Sequence, residues 1–406
     1  MLVETLILLG CWAGIFAYGA MEQRNHFGRL RRISVRVHVN GIRGKSTVTR
    51  LLGAILMEAG LRTYTKTTGS AARIIFPDGS EKEILRDGPA NLREQLAAVK
   101  LAEKDHADAM VLECMAINPI YQRISEEKMI QATVGVITNV REDHQDLMGH
   151  TLPEITESLC KMMPANGFMI TAERNRELLA IIKRRAEQRK TTLLIAEELA
   201  DQDRNVLEKF PYLMHDDNVA IGLAFARLMG IDADTAIKGM YKARPDPGVL
   251  RIYQKELKGR RYWFVNAHAI NDRESIILTY GMLQEKGVLA PKRTRIAVLN
   301  NRVDRPTRVE QFVNIVAKDL KFDKVVLVGS YKDRAEKLLL ANGMRQEDIV
   351  KLRNETLDEF FSQLHGISGK EAVIVGMVNI KNGLVQEYMK YFEEEGKAVP
   401  FYKAGG

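Results

Sequence analysis

Residues Arg36–Leu52 read RVHVNGIRGKSTVTRLL. An apolar run leads into a turn with Gly41 and Gly44, then a lysine and two hydroxyls, then Val48, Leu51 and Leu52 at helical spacing. That is the order of a strand, a phosphate-binding loop and a helix. Glycines let backbone N–H groups turn toward phosphate oxygens, and the start of the following helix adds positive partial charge. The strict pattern G-x-x-x-x-G-K-[ST] asks for a glycine where Val39 stands, so the loop is one glycine short. On this reading Gly41, Arg43, Gly44, Lys45, Ser46 and Thr47 bind the nucleotide, with Lys45 on the β- and γ-phosphates and the Ser46 hydroxyl on Mg²⁺. The bland alternative is a glycine turn that merely starts a helix.

Outward from this stretch, short runs rich in Val, Ile and Leu alternate with helical patterns. Strands are expected at Ile33–Val39, Ala109–Cys114, Thr133–Thr138, Gly167–Ile170, Thr192–Ile195, Trp263–Val265, Ile296–Leu299, Lys324–Val328 and Ala372–Val375. Most are continuous rather than alternating, which suits strands covered on both faces, and a helix is expected at Thr47–Ala59, ending at Gly60. Strand and helix in alternation predict an α/β fold with a doubly wound parallel sheet. One local conflict stands out: ISVRVHV alternates strictly, the pattern of a half-exposed strand.

A chain of 406 residues exceeds one comfortable core, and the Pro- and Gly-bearing segment KARPDPGVLRIY (Lys242–Tyr253) reads as a linker. The expected division is an N-terminal anchor with its basic flank over 1–32, an ATP-binding central domain over 33–247 and a smaller Rossmann-like α/β domain over 248–406. The content of 46% hydrophobic and 28% charged residues excludes disorder as the main state. Cys11, Cys114 and Cys160 form neither a disulfide framework nor a C-x-x-C metal site.

A formal charge of +8 favours an acidic partner without choosing it. The basic clusters at Lys183–Arg185 and Gly259–Arg261 lack interleaved aromatics, so no nucleic acid is expected. The 17 residues Thr5–Met21 carry no charge and are followed by Arg24, Arg29, Arg31 and Arg32. That predicts a membrane span with the remaining chain on the cytoplasmic face. Glu4 is the only charge before the run, which speaks against a cleaved signal; a buried or interfacial helix is the alternative.

Glu113 ends the strand run AMVLE and so falls at the carboxyl edge of a sheet, where ligands of open α/β sheets bind. It is either a Mg²⁺ ligand or an ordinary helix-starting carboxylate. The run Thr133–Thr138 delivers Asn139, Asp143 and His144 to the same edge, where His144 and Glu113 can share a second metal ion.

The set NGIRGKST, LEC and TNVREDHQDLMGHTL resembles the Mur ligase family, including the folylpolyglutamate synthetases. That family's loop reads G-T-N-G-K-[ST] and often lacks the early glycine. HDDNVAIGLAFA (His215–Ala226) resembles its H-N-x-x-N-A helix and implies Asn218 near adenine. FVNAHAIND (Phe264–Asp272) resembles D-x-A-H-N-P of the third domain, with His268 at the histidine. The anchor, the compact length and the closing GMVNIKN are similar to the branch that makes poly-γ-glutamate.

The resemblance implies an ATP- and Mg²⁺-dependent amide ligase. It would activate a glutamate carboxylate as an acyl phosphate and pass it to another glutamate's amine. Lys45, Glu113, His144, Arg251 and His268 are its implied catalytic set, and Ser46, Glu113 and His144 its metal ligands. Arg302 and Asp304 are further candidates. Implied partners are glutamate, the growing poly-γ-glutamate chain, the membrane and companion membrane subunits of a synthase complex, with a homo-oligomer compatible. Three positions depart from the family: Leu159 where many members have a carbamylated lysine, Asn266 at the ribose-binding aspartate, and Arg251 displaced from the linker arginine. The competing reading is a membrane-tethered P-loop ATPase that regulates or energises an export or assembly complex without making the bond. No N-K-x-D motif supports a GTPase.

Overall fold

The computed structural model describes residues 2–399 apart from 69–71, 87, 89, 201–204, 211, 247–248, 269, 271–272, 304–305 and 381. The chain forms two compact units, Met1–Asp203 with His215–Asp246, and Arg204–Met214 with Pro247–Gly406. The short segment before His215 groups with the second unit, where Leu213 N donates to Leu250 O at 3.4 Å and its side chain joins the second unit's core.

The first unit carries β1 (Val35–Asn40), β2 (Thr63–Thr67), β3 (Arg73–Ile75), β4 (Glu81–Glu83), β5 (Ala109–Glu113), β6 (Val134–Ile137), β7 (Phe168–Thr171) and β8 (Thr192–Ile195). Their order in one sheet is β4-β3-β2-β5-β1-β6-β7-β8. From β2 to β8 all neighbours are parallel, and β1 is central, with Val39 opposite Glu113 on one side and Val136 on the other. A central parallel strand is covered on both faces. Along ISVRVHV burial deepens toward the loop: Ser34 is exposed and Arg36 half-buried, whereas His38 and the following Asn40 are buried, and the polar side chains from Arg36 onward have partners. His38 Nδ1 lies 2.9 Å from Glu126 Oε2, and Asn40 Nδ2 donates to Gln122 Oε1 at 2.9 Å. Arg36 donates to the carbonyl oxygens of Gln131 and Ile33.

Helix α1 (Leu2–Arg32) runs unbroken from the apolar segment into the first unit. From Val3 through Glu22 its residues are exposed, whereas His26 and Leu30 are buried. Leu30 packs with Ile33, Met110, and Val99 and Ala102 of the helix α3 (Arg93–Lys104), while Arg32 pairs with Glu103 at 3.0 Å. Among the described residues α1 is the one helix long and apolar enough to cross a membrane. Helix α2 (Lys45–Glu58) follows β1 and begins two residues before its expected start.

The second unit has β9 (Ile252–Leu257), β10 (Arg260–Asn266), β11 (Thr294–Asn301), β12 (Lys324–Gly329), β13 (Ile349–Lys351), β14 (Glu371–Met377) and β15 (Lys397–Val399), ordered β13-β12-β11-β14-β10-β9-β15. The five strands from β13 to β10 are parallel; β9 and β15 are antiparallel additions. Apolar clusters cover both faces, one around Val265, Leu299 and Val375, the other around Phe264, Val298 and Ile374.

Candidate active site

The turn after β1 is pinned from the end of β6. Thr138 Oγ1 donates to Arg43 O at 2.6 Å, Asn139 Nδ2 donates to the same oxygen at 3.0 Å, and Arg43 N donates back to Asn139 Oδ1 at 3.0 Å. Gly44, with φ of 78°, takes the left-handed backbone that precedes α2, and a β-carbon there would stand 2.7 Å from Asn218 Oδ1. Asn218, expected near adenine, is thus packed against the loop from the first turn of the helix Asp216–Leu228.

Lys45 folds over the turn, its Nζ donating to Gly41 O at 2.8 Å and Ile42 O at 3.3 Å. Burial lowers its pKa, and the nearby Glu113 carboxylate opposes that. Thr47 sits half-buried in the first turn of α2.

Glu113 is the point on which several elements converge. Its Oε2 accepts from Ser46 Oγ at 2.9 Å and from Thr68 N at 2.7 Å, and its carbonyl accepts from Gln95 Nε2 of α3 at 2.9 Å. The side chain is buried at the end of β5, one strand away from the loop. A hydroxyl and a carboxylate within 3 Å of each other are hard oxygen donors. They suit Mg²⁺, which takes one or two protein oxygens and keeps several waters.

His144 is placed less centrally. It has a left-handed backbone, a side chain 46% exposed, and Asp143 Oδ2 at 3.8 Å from Nε2. Asp143 also accepts from Arg43 Nη2 at 3.2 Å, so the EDH segment meets the loop through Arg43. Among the described residues no group of three or more His, Cys, Asp or Glu side chains gathers as a metal cluster. Leu159 is fully buried with Ile155, Met162 and Met163, and Lys161 is exposed. The position that the resemblance sets against a carbamylated lysine is here part of an apolar core.

Two expected catalytic residues lie in the second unit. Arg251 pairs with Glu393 at 2.9 Å and contacts Tyr253 OH at 3.2 Å. His268, expected to take part in the chemistry, is a core residue. Its Nδ1 is 3.0 Å from Met377 O and its Nε2 is 2.5 Å from Tyr388 OH. Burial lowers its pKa to about 4, with the Met377 bond acting the other way, so the ring is neutral at pH 7. With both nitrogens engaged it ties the end of β10 to β14 and to Tyr388. Asn266 is buried at the end of β10, its Oδ1 without a hydrogen-bond partner among the described residues. Arg302 is half-buried, and Asp304 lies outside the described residues.

Thr68, Gln95 and Thr138 escaped the sequence reading. The run TYTKTT before Gly69 is too polar to mark a strand, although its backbone reaches Glu113. A cavity of about 820 Å³ opens at the opposite edge of the sheet, at the amino ends of β1, β6 and β7, lined by Arg36, Glu127, Phe168 and Arg189. Its size does not mark the chemistry.

Residues 39–222 match the Mur ligase middle domain, and residues 252–395 match the poly-gamma-glutamate synthase CapB C-terminal domain. The capsule biosynthesis protein CapB of Bacillus anthracis is 36% identical over 400 residues, covering 97% of this chain and 84% of that protein. The PGA synthase CapB of Bacillus subtilis (strain 168) is 37% identical over 361 residues, covering 88% and 90%. The chain belongs to the CapB family of Mur ligases.

Solved structures of more distant proteins share this CapB-family fold. E. coli FolC in complex with ADP matches with a TM-score of 0.63 at 16% identity, over 92% of each chain. The Yersinia pestis folylpolyglutamate synthase/dihydrofolate synthase complexed with AMPPNP and Mn matches with a TM-score of 0.65 at 15% identity, again over 92% of each. A CapB-family chain thus keeps the α/β architecture expected from its loop while placing an apolar residue at position 159.

Proposed function

We propose that this chain is an ATP-dependent amide ligase that makes poly-γ-glutamate, and that the edge formed by the loop, Glu113 and Thr68 is where it activates the carboxylate. The observation that carries the assignment to this edge is the Ser46–Glu113 contact at 2.9 Å beside Lys45, a phosphate loop and a carboxylate built as one unit.

Hydroxide is a poor leaving group, so a carboxylate must be activated before an amine can displace it. A glutamate carboxylate oxygen attacks the γ-phosphorus of ATP, the bond to the β-phosphate oxygen breaks, and an acyl phosphate and ADP result. A second glutamate's amine then attacks the acyl carbon; phosphate leaves, and the nitrogen gives up a proton. Negative charge spreads over the phosphate oxygens during transfer, so the protein's contribution is positioning and neutralisation. Lys45 supplies a cation that moves from the carbonyls of Gly41 and Ile42 to the phosphates. The loop N–H groups and the start of α2 supply fixed dipoles. Ser46 and Glu113 would hold Mg²⁺, which when bound neutralises phosphate charge.

Helix α1 anchors the enzyme in the membrane, with Arg24, Arg29, Arg31 and Arg32 holding the folded units on the cytoplasmic side. A basic chain beside the bilayer suits a polyanionic product that companion membrane subunits would carry onward. The test is incubation of the full-length protein with ATP, Mg²⁺ and glutamate. Glutamate-dependent release of ADP and phosphate is expected, with hydroxylamine trapping an acyl hydroxamate. Phosphate release indifferent to every amino acid, without hydroxamate, would favour the regulatory ATPase; AMP and pyrophosphate would contradict the route altogether.

A further inference from the structure

His38 and Glu126 form a buried pair, with side chains 0% and 3% exposed and Nδ1 2.9 Å from Oε2. A buried ionisable pair is often no more stabilising than apolar residues of the same volume, so the fold alone gives little reason for it. What the pair connects does. His38 stands on β1 three residues before Gly41. Asn40, immediately before the loop, is held by Gln122. Gln122 and Glu126 belong to one helical segment whose second half, Ser125–Ile130, is a π-helical turn. Such turns are uncommon and recur at functional sites. The other oxygen of Glu126 accepts from Ala132 N at 2.8 Å, closing that turn.

The same turn receives the N-terminal helix. Gln23 Nε2 donates to Lys128 O at 3.0 Å, and the buried His26 places Nε2 2.8 Å from Met129 O. A continuous set of contacts therefore runs from α1, through two carbonyls of the π-helical turn, to Glu126 and His38, and along β1 to the loop.

We propose that Glu126 is a positioning residue for the nucleotide loop, and that α1 fixes its place through Lys128 and Met129. The inference rests on the ligase reading only in taking this loop to bind ATP. It makes the membrane helix part of the machinery that shapes the site rather than a tether alone.

The test uses the full-length protein in detergent, with titration of a fluorescent ATP analogue, KM for ATP, kcat and unfolding temperature read on each variant. Glu126→Leu, and separately the pair Gln23→Leu with His26→Leu, are expected to raise KM for ATP about 3- to 30-fold, the range of energetic coupling through packed networks, with kcat within about twofold. Glu126→Gln keeps an acceptor for His38 and should recover most of the KM. The combined variant should be no worse than its worse parent, because both changes act through one turn. An unchanged KM in Glu126→Leu with a lowered unfolding temperature would overturn the positioning role, and additive effects would disconnect α1 from it. Should Glu126→Leu not fold, the α1 pair carries the same test, and a wild-type KM there refutes it. A wild-type protein that binds no ATP would instead refute the ligase reading itself.

Discussion

Replacing Gly44 by alanine separates backbone strain from a steric collision, because Gly60 provides a matched control. Both glycines hold left-handed backbone, with φ of 78° and 85°. An alanine there costs about 1–2 kcal/mol from the clash of its own β-carbon with the chain. At Gly60 the added carbon meets nothing within 4 Å, so that is the whole cost. At Gly44 it stands 2.7 Å from Asn218 Oδ1, and Asn218 is buried, so the loop or the carboxamide must move. Overpacking of this kind adds about 1–3 kcal/mol.

The displacement falls on the N–H groups that face phosphate. Losing one hydrogen bond to a charged group costs about 1.5–3 kcal/mol, or roughly 10- to 150-fold in affinity. Thermal unfolding and titration with an ATP analogue on the two full-length variants give the comparison. Gly60→Ala should melt earlier yet bind ATP within about twofold of wild type. Gly44→Ala should melt earlier and bind at least about tenfold more weakly, with partial recovery when Asn218→Gly opens the space. Equal ATP binding by the two variants would refute the placement of the loop.

Lys45→Ala should abolish glutamate-dependent phosphate release while leaving the unfolding temperature within a few degrees; an active variant would defeat the phosphate-loop assignment. Ser46→Ala should raise the Mg²⁺ concentration for half-maximal turnover by about tenfold or more, read by titrating the metal at saturating ATP. Burial alone would lower the pKa of His38, but Cys114 and Glu126 outweigh it and raise it to about 9. The folded state therefore holds the proton more tightly than the unfolded chain. That contribution is full below pH 6.5 and is lost as pH rises through about 9. Denaturation of the first unit between pH 6 and 10 should show the loss, and His38→Asn should flatten it. His268→Phe should destabilise the second unit by about 1–3 kcal/mol, since Tyr388 OH loses its partner, while ATP binding persists. Undiminished stability with lost turnover would restore His268 to the chemistry.

Most strands legible from sequence have continuous apolar runs, because a parallel strand covered on both faces buries nearly every side chain; β1 was read despite its alternation, from the loop and helix that follow it. β2 was not legible. Its TYTKT run is buried throughout, yet its lysine and threonines are polar, with Lys66 paired to Glu94 at 3.3 Å. β3 and the edge strands β4, β13 and β15 are three residues each, too short to carry a period. In the site, the glycines, lysine and serine of the loop announce themselves because phosphate chemistry demands those types at that spacing. Glu113 was found through its position at a strand end. Thr68 contributes only a backbone N–H, which any residue possesses, so its identity carries no signal. His268 shows the converse: the motif marks the residue, but only packing reveals that Met377 and Tyr388 occupy both ring nitrogens.

The lack of any break between the apolar stretch of α1 and the buried turn around Leu30 has a mechanical meaning. From Glu22 to Arg32 the helix climbs about 16 Å, at 1.5 Å per residue, with no swivel along the way. With α1 spanning the membrane as proposed, the first unit is carried on a mast, at one height and one compass bearing relative to the bilayer. Inserting a single residue into that stem would act like a turn of a screw, rotating the unit by about 100° while lifting it only about 1.5 Å. On that proposal the polymer would leave toward a fixed point in the membrane plane, and whatever receives it would stand at that bearing.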